Sequence, residues 1–283
     1  MILKTVGIIG AGTMGAGIAQ VVAAKGYNVI LNDIKQEFVE NAYARIEKVF
    51  LRNIEKERMT KEEATLALDK ISLSVSLEDL ADADLVIEAV LEDLELKKNV
   101  FEKLNTLCKA ETIFATNTSS MSITEIAKAS NRPEKFCGIH FFNPVPVMKL
   151  VEVIYGMKSA PKTIENALEF VLAIGKTPVE VKKDSPGFIV NRLLIPYMNE
   201  AARLLSEGVA SVEDIDTAVR LGLNYPMGPF QMLDFGGIDL SVTISNYFKE
   251  EFNDINYAPQ FVLKQMIRAG KTGMKSGEGF YKY

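Results

Sequence analysis

Val6-Gly7-Ile8-Ile9-Gly10-Ala11-Gly12-Thr13-Met14-Gly15 is an apolar run that stops at a cluster of glycines and opens into a helical pattern. A G-x-G-x-x-G spacing alone says little, but this one follows a predicted buried strand and precedes an amphipathic helix, the context its mechanism requires. Gly10 permits the tight turn, Gly12 lets the backbone approach a pyrophosphate, and Gly15 lets the helix lie close on the strand. Thr13 and Met14 then open the helix, whose unpaired N–H groups and dipole favour an anion. Met14, Ile18 and Val21 or Val22 share one side of it, and Lys25-Gly26 ends it. A second strand, 27–31, leads to Asn32-Asp33. An acid there, about 20 residues past the glycines, accepts hydrogen bonds from a ribose and repels a 2′-phosphate. Asp33 therefore predicts NAD, with NADP disfavoured, although Lys35 close behind offsets part of the repulsion.

The 283 residues predict two domains, because single cores stop growing at about 250 to 300 residues. Hydrophobic residues make up 48 % of the chain, enough for a sizeable core, yet no apolar run approaches the roughly 20 residues of a membrane helix. The first strand begins almost at once, leaving no room for a signal peptide, so the expected compartment is the cytoplasm. A formal charge of −5 argues against general affinity for nucleic acid or anionic membranes. Cys108 and Cys137 are too few for a disulfide framework and read as reduced core residues. A single histidine excludes a site of several His and Cys ligands, no EF-hand spacing appears, and no metal is expected.

Beyond Asp33, helical periodicity runs over about 36–57, and Thr60-Lys61-Glu62-Glu63 reads as a capping box opening a second helix to Leu68. This hairpin, about 36–68, is longer than an ordinary crossover and reads as an insertion. Arg45, Lys48, Arg52 and Lys56 lie along one side of its first helix. That stripe suits the phosphates of a large anionic substrate, and equally a solvated face shared with Glu47 and Glu55. Strands resume at 71–75, 84–90 and 112–116, with a helix at about 94–107 before the last. Strands alternating with helices predict a doubly wound parallel sheet, which binds ligands at the carboxyl ends of its strands. That rule selects the glycine turn, the stretch Glu88-Ala89-Val90-Leu91-Glu92 leading to Lys97, and Asn117-Thr118-Ser119-Ser120. Ser120 and Ser122 read as helix caps, while Asn117 and Ser119 face the crevice.

His140 ends the apolar strand Phe136-Cys137-Gly138-Ile139-His140, and Glu152 lies in the next strand between Val151 and Val153. The intervening Asn143-Pro144-Val145-Pro146 is a turn, so the strands fold back and bring carboxylate to imidazole. A carboxylate on one ring nitrogen sets the tautomer and leaves the other to exchange a proton. A buried Glu needs such a partner, although a lone histidine can equally be structural. A helix at about 161–174 and a strand at 178–182 follow. Asp184-Ser185-Pro186-Gly187-Phe188 then breaks the pattern, dividing the chain into residues 1–183 and 184–283. The second part shows helical periodicity only, at 187–206, 212–220, 237–250 and 258–269. The first of those helices is apolar most of the way round, as befits the centre of a domain or half of a dimer interface, and Asn191 is a polar exception on it. The glycine-rich 270–281 reads as a docked tail.

Gly10-Ala-Gly-Thr-Met-Gly15, Asn117-Thr-Ser-Ser120, His140-Phe-Phe-Asn-Pro144 with Glu152, Asp184-Ser-Pro-Gly-Phe188 with Asn191-Arg192, and Gly228-Pro229-Phe230 together resemble the L-3-hydroxyacyl-CoA dehydrogenase family over essentially the full length, closest to its stand-alone bacterial branch. The resemblance implies an α/β Rossmann-type domain followed by a smaller all-helical domain that forms a homodimer. It implies NAD-dependent interconversion of a short-chain (S)-3-hydroxyacyl-CoA, such as 3-hydroxybutanoyl-CoA, and its 3-oxoacyl-CoA, acetoacetyl-CoA, in fatty acid or butanoate metabolism. His140 is then the general acid/base oriented by Glu152, with Ser119 and Asn191 hydrogen-bonding the substrate and Asn143 beside them. Asp33, Glu92, Lys97 and Asn117 resemble the family's NAD contacts, and Lys48, Arg52 and Lys56 its CoA-binding face. A dehydrogenase for a small hydroxy acid or sugar acid without CoA is the alternative on the same plan.

Overall fold

The computed structural model describes residues 3–283, which divide into two units, one running to Ser185 and the other Pro186–Tyr283. The first is a single eight-stranded sheet in the order β3-β2-β1-β4-β5-β6-β7-β8. Its strands are β1 Thr5–Ile9, β2 Asn28–Asn32, β3 Ile71–Ser74, β4 Leu85–Glu88, β5 Ile113–Thr116, β6 Phe136–Phe141, β7 Leu150–Tyr155 and β8 Thr177–Val181. Every pairing is parallel except β6 with β7, which is antiparallel as the proline-rich turn predicts. β4, β5 and β6 are buried along their whole length, because helices cover both faces.

On one face lie α1 Thr13–Ala23, α2 Gln36–Glu55 and α6 Pro161–Ala173, burying Ile18, Val22, Val39, Ala42, Ile46, Phe50, Ile164 and Phe170 in one cluster. The other carries α4 Leu94–Leu107, whose Phe101 ring packs 4.7 Å from Phe136 and 5.6 Å from Phe114. α3 Lys61–Asp69 completes the hairpin with α2, and its capping box joins Thr60 and Glu63 as the sequence predicts. α5 Ile123–Ala129 is capped by Ser122 and lies on the sheet beside Gly138, where a Cβ would come within 2.8 Å of Ile123. Asp184 strengthens that helix start by accepting from Ser122 Oγ and Thr124 N–H, each at 2.7 Å.

The second unit is helical: α7 Val190–Ser206, α8 Val212–Gly222, α9 Pro229–Gly236, α10 Ile238–Phe252 and α11 Phe261–Arg268. α7 starts later than periodicity predicts because Gly187 and Phe188 both hold positive φ, +74° and +52°. It is less uniformly apolar in context than its sequence reads: Ile195, Met198, Ala201 and Ala202 are buried, but Leu193 is 70 % exposed. α9 escaped the sequence reading. It is short, and its cap comes from Asp216 on α8, which accepts from Phe230 and Gln231 N–H at 2.8 and 3.1 Å. The tail docks as expected, with Asp234 accepting from Phe280 and Tyr281 N–H, both at 2.9 Å. Among the described residues no helix is long and apolar enough to cross a membrane.

Gly15 shows how closely α1 meets the strand end, since a Cβ there would fall 1.7 Å from the Gly10 carbonyl oxygen. Backbone cannot yield as a flexible side chain would. Gly15→Ala should therefore lower the unfolding free energy by about 1–3 kcal/mol in urea titration, whereas an unchanged midpoint would show that the helix shifts at no cost.

Candidate active site

Strand register brings the catalytic candidates together. His140 on β6 is directly opposite Glu152 on β7, so both side chains rise from the same face of the sheet. Nδ1 lies 2.7 Å from Glu152 Oε2, with the imidazole 5 % exposed and the carboxylate fully buried. The carboxylate selects the tautomer that carries its proton on Nδ1. Phe142 leans on the imidazole with ring centroids 4.4 Å apart. Asn117 belongs to the same construction, because its side-chain oxygen accepts from Phe141 N–H at 2.8 Å and ties the end of β5 to the strand bearing the histidine.

A second set of charges stands at the carboxyl ends of β4 and β5. Lys97 is 1 % exposed, with Nζ 2.7 Å from Glu88 Oε1 and 3.2 Å from Glu92 Oε2. Glu88 also accepts from Val90 N–H at 2.7 Å and Thr116 Oγ1 at 2.6 Å. Burial pushes the Glu88 carboxyl up from its ordinary value, outweighing Lys97 and the hydrogen-bond donors that favour its ionised form. For Glu92, loss of water acts in the same direction but is overcome by the Lys97 charge and by donors from Thr118 and Ser119, so that carboxyl is held below its ordinary range. Glu92 Oε1 accepts from Ser119 N–H at 3.0 Å, which makes Lys97 the support of a carboxylate that in turn positions Ser119. Glu88 was quoted in the sequence only as part of a loop. Its role depends on Lys97 turning inward, which helical spacing alone does not reveal.

The glycine turn opens on a pocket of about 740 Å³ lined by Gly10, Gly12, Thr13, Met14, Asp33, Phe38, Arg45, Ala89 and Val90, among others. Gly10 needs its glycine for a φ of +100° and for the Ala89 carbonyl, which a Cβ would approach to 2.5 Å. Gly12 has neither reason: its φ is −68°, and nothing lies within 4 Å of where a Cβ would stand. The open space beside Gly12 lies at the start of α1 and on the pocket wall, where a close backbone approach to a pyrophosphate has room. Asp33 follows β2 and accepts from Ala11 N–H at 2.6 Å.

Arg45, Lys48 and Arg52 are exposed on α2 and Lys56 just past its end, and Arg45 in addition donates from Nη2 to the Ala11 carbonyl at 2.8 Å. Asn143 is exposed in the turn between β6 and β7. That turn is held from beneath by the buried Lys176, which donates to the Val145 and Met148 carbonyls at 2.6 and 2.7 Å. Asn191 stands in the first turn of α7, in the second unit.

Residues 5–185 match the model of the 3-hydroxyacyl-CoA dehydrogenase NAD binding domain, and residues 187–283 that of the C-terminal domain of the same enzymes. The chain belongs to the 3-hydroxyacyl-CoA dehydrogenase family. It is 46 % identical to a 3-hydroxybutyryl-CoA dehydrogenase of Clostridioides difficile, over 98 % of each chain. It is 45 % identical to the human mitochondrial hydroxyacyl-coenzyme A dehydrogenase, covering all of this chain and 92 % of that one. The crystal structure of the (S)-3-hydroxybutyryl-CoA dehydrogenase of Ralstonia eutropha superposes with a TM-score of 0.97 at 42 % identity, over 100 % of this chain and 99 % of that one.

Removing Lys97 would leave the fully buried Glu88 carboxylate without its cation, while Glu92 is partly open to solvent. Lys97→Met should lower stability at neutral pH by about 3–5 kcal/mol. Burial already holds the Glu88 carboxyl above its ordinary value and would do so more strongly without the cation, so the deficit should shrink as pH falls toward about 4 and Glu88 protonates. Urea titrations at the two pH values check the sign; a deficit that grows on acidification would contradict it.

Proposed function

We propose that the chain interconverts short-chain (S)-3-hydroxyacyl-CoA thioesters, 3-hydroxybutanoyl-CoA foremost, and the corresponding 3-oxoacyl-CoA, acetoacetyl-CoA, using NAD in preference to NADP. The observation that carries the reading is the His140–Glu152 pair, a 2.7 Å contact on adjacent strands, in a chain matched along both domains by the family models. The short acyl chain is supported by the names of the Clostridioides difficile and Ralstonia eutropha relatives.

Bound nicotinamide supplies the hydride acceptor, or in reverse the donor, for substrate C3. His140 does the proton chemistry: Nε2 takes the hydroxyl proton during oxidation and returns it to the carbonyl oxygen during reduction. Glu152 keeps Nδ1 protonated throughout and stabilises the imidazolium once the ring has gained its second proton. Ser119, steadied by Glu92, and Asn191 on α7 hydrogen-bond the reacting oxygen or the thioester carbonyl, with Asn143 contributing from the turn. Gly10, Gly12, Thr13, Met14 and Gly15 would hold the pyrophosphate and Asp33 the adenosine ribose, while Glu92, Lys97 and Asn117 shape the nicotinamide end. The exposed cations Lys48, Arg52 and Lys56 suit the phosphates of CoA.

Self-association as a homodimer through the helical unit is supported by its exposed Leu193, Leu221, Leu223 and Phe261 side chains. A cytoplasmic setting fits the two cysteines, which are buried and free of any disulfide.

The test compares NADH oxidation with acetoacetyl-CoA and with free acetoacetate, in the wild type and in His140→Gln. Turnover of the thioester should dominate and fall by about 10²–10⁴-fold in the variant, while calorimetry shows NADH still binding. Preserved turnover in His140→Gln would remove the mechanism, because the chain holds no second histidine. Preference for the free acid would transfer the activity to small hydroxy acids. A second variant isolates the pyrophosphate cradle: Gly12→Ala should keep the wild-type unfolding midpoint but weaken NADH binding at least about tenfold, and unchanged affinity would place the dinucleotide elsewhere.

A further inference from the structure

Ala11 is gripped by opposite charges on its two polar groups. Its N–H donates to Asp33 Oδ2 at 2.6 Å, and its carbonyl accepts from Arg45 Nη2 at 2.8 Å. Asp33 accepts a second amide, Ile34 N–H, at 2.7 Å, so among the described residues it is held by backbone donors and not by a cation. The guanidinium and the carboxylate thus approach one residue of the glycine turn from its two sides, and both line the same 740 Å³ pocket. Arg45 reaches there because α2 leaves the end of β2 immediately after Asp33. It spends one of its five N–H donors on Ala11, which anchors the planar fork while leaving it capacity for an anion.

We infer that Arg45 is a specificity-determining residue of the dinucleotide pocket: its anchored guanidinium is a ready receptor for a 2′-phosphate, and the Asp33 carboxylate is what denies that phosphate entry. The inference rests on the reading that a dinucleotide binds at the glycine turn. An acid at the end of β2 selects the free ribose, and an arginine close to it accommodates the phosphorylated one. This chain holds both, so its preference is a contest between two charges and not a matter of shape. Lys35 is the other cation near Asp33, but its ammonium lies over the Phe38 ring, 5.4 Å from the centroid, without the backbone anchor that fixes Arg45.

Calorimetric titration with NADH and with NADPH tests this without recourse to turnover. The proteins are wild type, Asp33→Ser, Asp33→Ser/Arg45→Ala and Asp33→Ser/Lys35→Met, and the quantity read is the ratio of NADPH to NADH affinity, in which any general weakening of the pocket cancels. Asp33→Ser should raise that ratio by about tenfold or more, as a charge-assisted phosphate contact replaces a repulsion. Adding Arg45→Ala should return most of the gain, whereas adding Lys35→Met should keep it. A ratio unmoved by Asp33→Ser, or a gain that survives Arg45→Ala, overturns the inference. Should Asp33→Ser fail to fold, Asp33→Asn preserves an acceptor for the Ala11 amide and is read in the same way. Wild-type protein that binds neither dinucleotide would instead overturn the underlying reading of the pocket.

Discussion

The structure depends on one carboxylate that water never reaches. Glu152 is fully buried within β7, between Val151 and Val153, and a bare charge there would cost several kcal/mol. His140, opposite it in the β6–β7 register, supplies the hydrogen bond that makes the burial tolerable. The constraint acts in both directions, because the buried acid also denies the imidazole any choice of tautomer. The one antiparallel pairing among the described strands is what creates this opposition: a parallel neighbour would be reached through a crossover, and its register would answer to a helix and not to the short connection 142–149.

The elements around the pair serve to hold that geometry. Asn117 takes the Phe141 amide at the end of the histidine strand, and Lys176 satisfies two carbonyls of the connecting turn. Val145 of that turn packs on Gly17 of α1, where an added Cβ would stand 3.0 Å from its own. The helix that begins at the glycine turn and the loop that follows the histidine therefore share a contact, so the glycine turn and the His140–Glu152 pair are built on a common surface. The Glu88–Lys97–Glu92 triad does the equivalent work across β4 and β5, converting a buried lysine into a fixed carboxylate beneath Ser119.

Much of this was legible in the chain because it is local. Alternation, glycine spacing and turn prolines place the strands within a residue or two, and the Thr60–Glu63 capping box is complete within four residues. The His140–Glu152 opposition follows from a short turn between two apolar runs. What escaped is what depends on distant partners. α9 takes the acceptor for its first-turn amides from Asp216 on another helix, and the local marks of its start, Pro229 at the first position and Gln231 accepting from Gly228 N–H at 3.3 Å, span too few residues to show a periodicity. Arg45 shares a helical stripe with Lys48, Arg52 and Lys56, and only the packing of α2 beside the glycine turn separates it from them. Lys97 faces inward against the ordinary preference of lysine for solvent, drawn by two acids of which one, Glu88, belongs to a strand.

The central claim is that Glu152 fixes the proton of His140 on Nδ1, and a single histidine allows that to be observed without assignment ambiguity. Nitrogen-15 spectra of the histidine-labelled protein should show one imidazole whose neutral form carries its proton on Nδ1, with Nε2 as the pyridine-type nitrogen. A neutral ring protonated on Nε2, or a rapidly exchanging mixture of the two tautomers, would contradict the account.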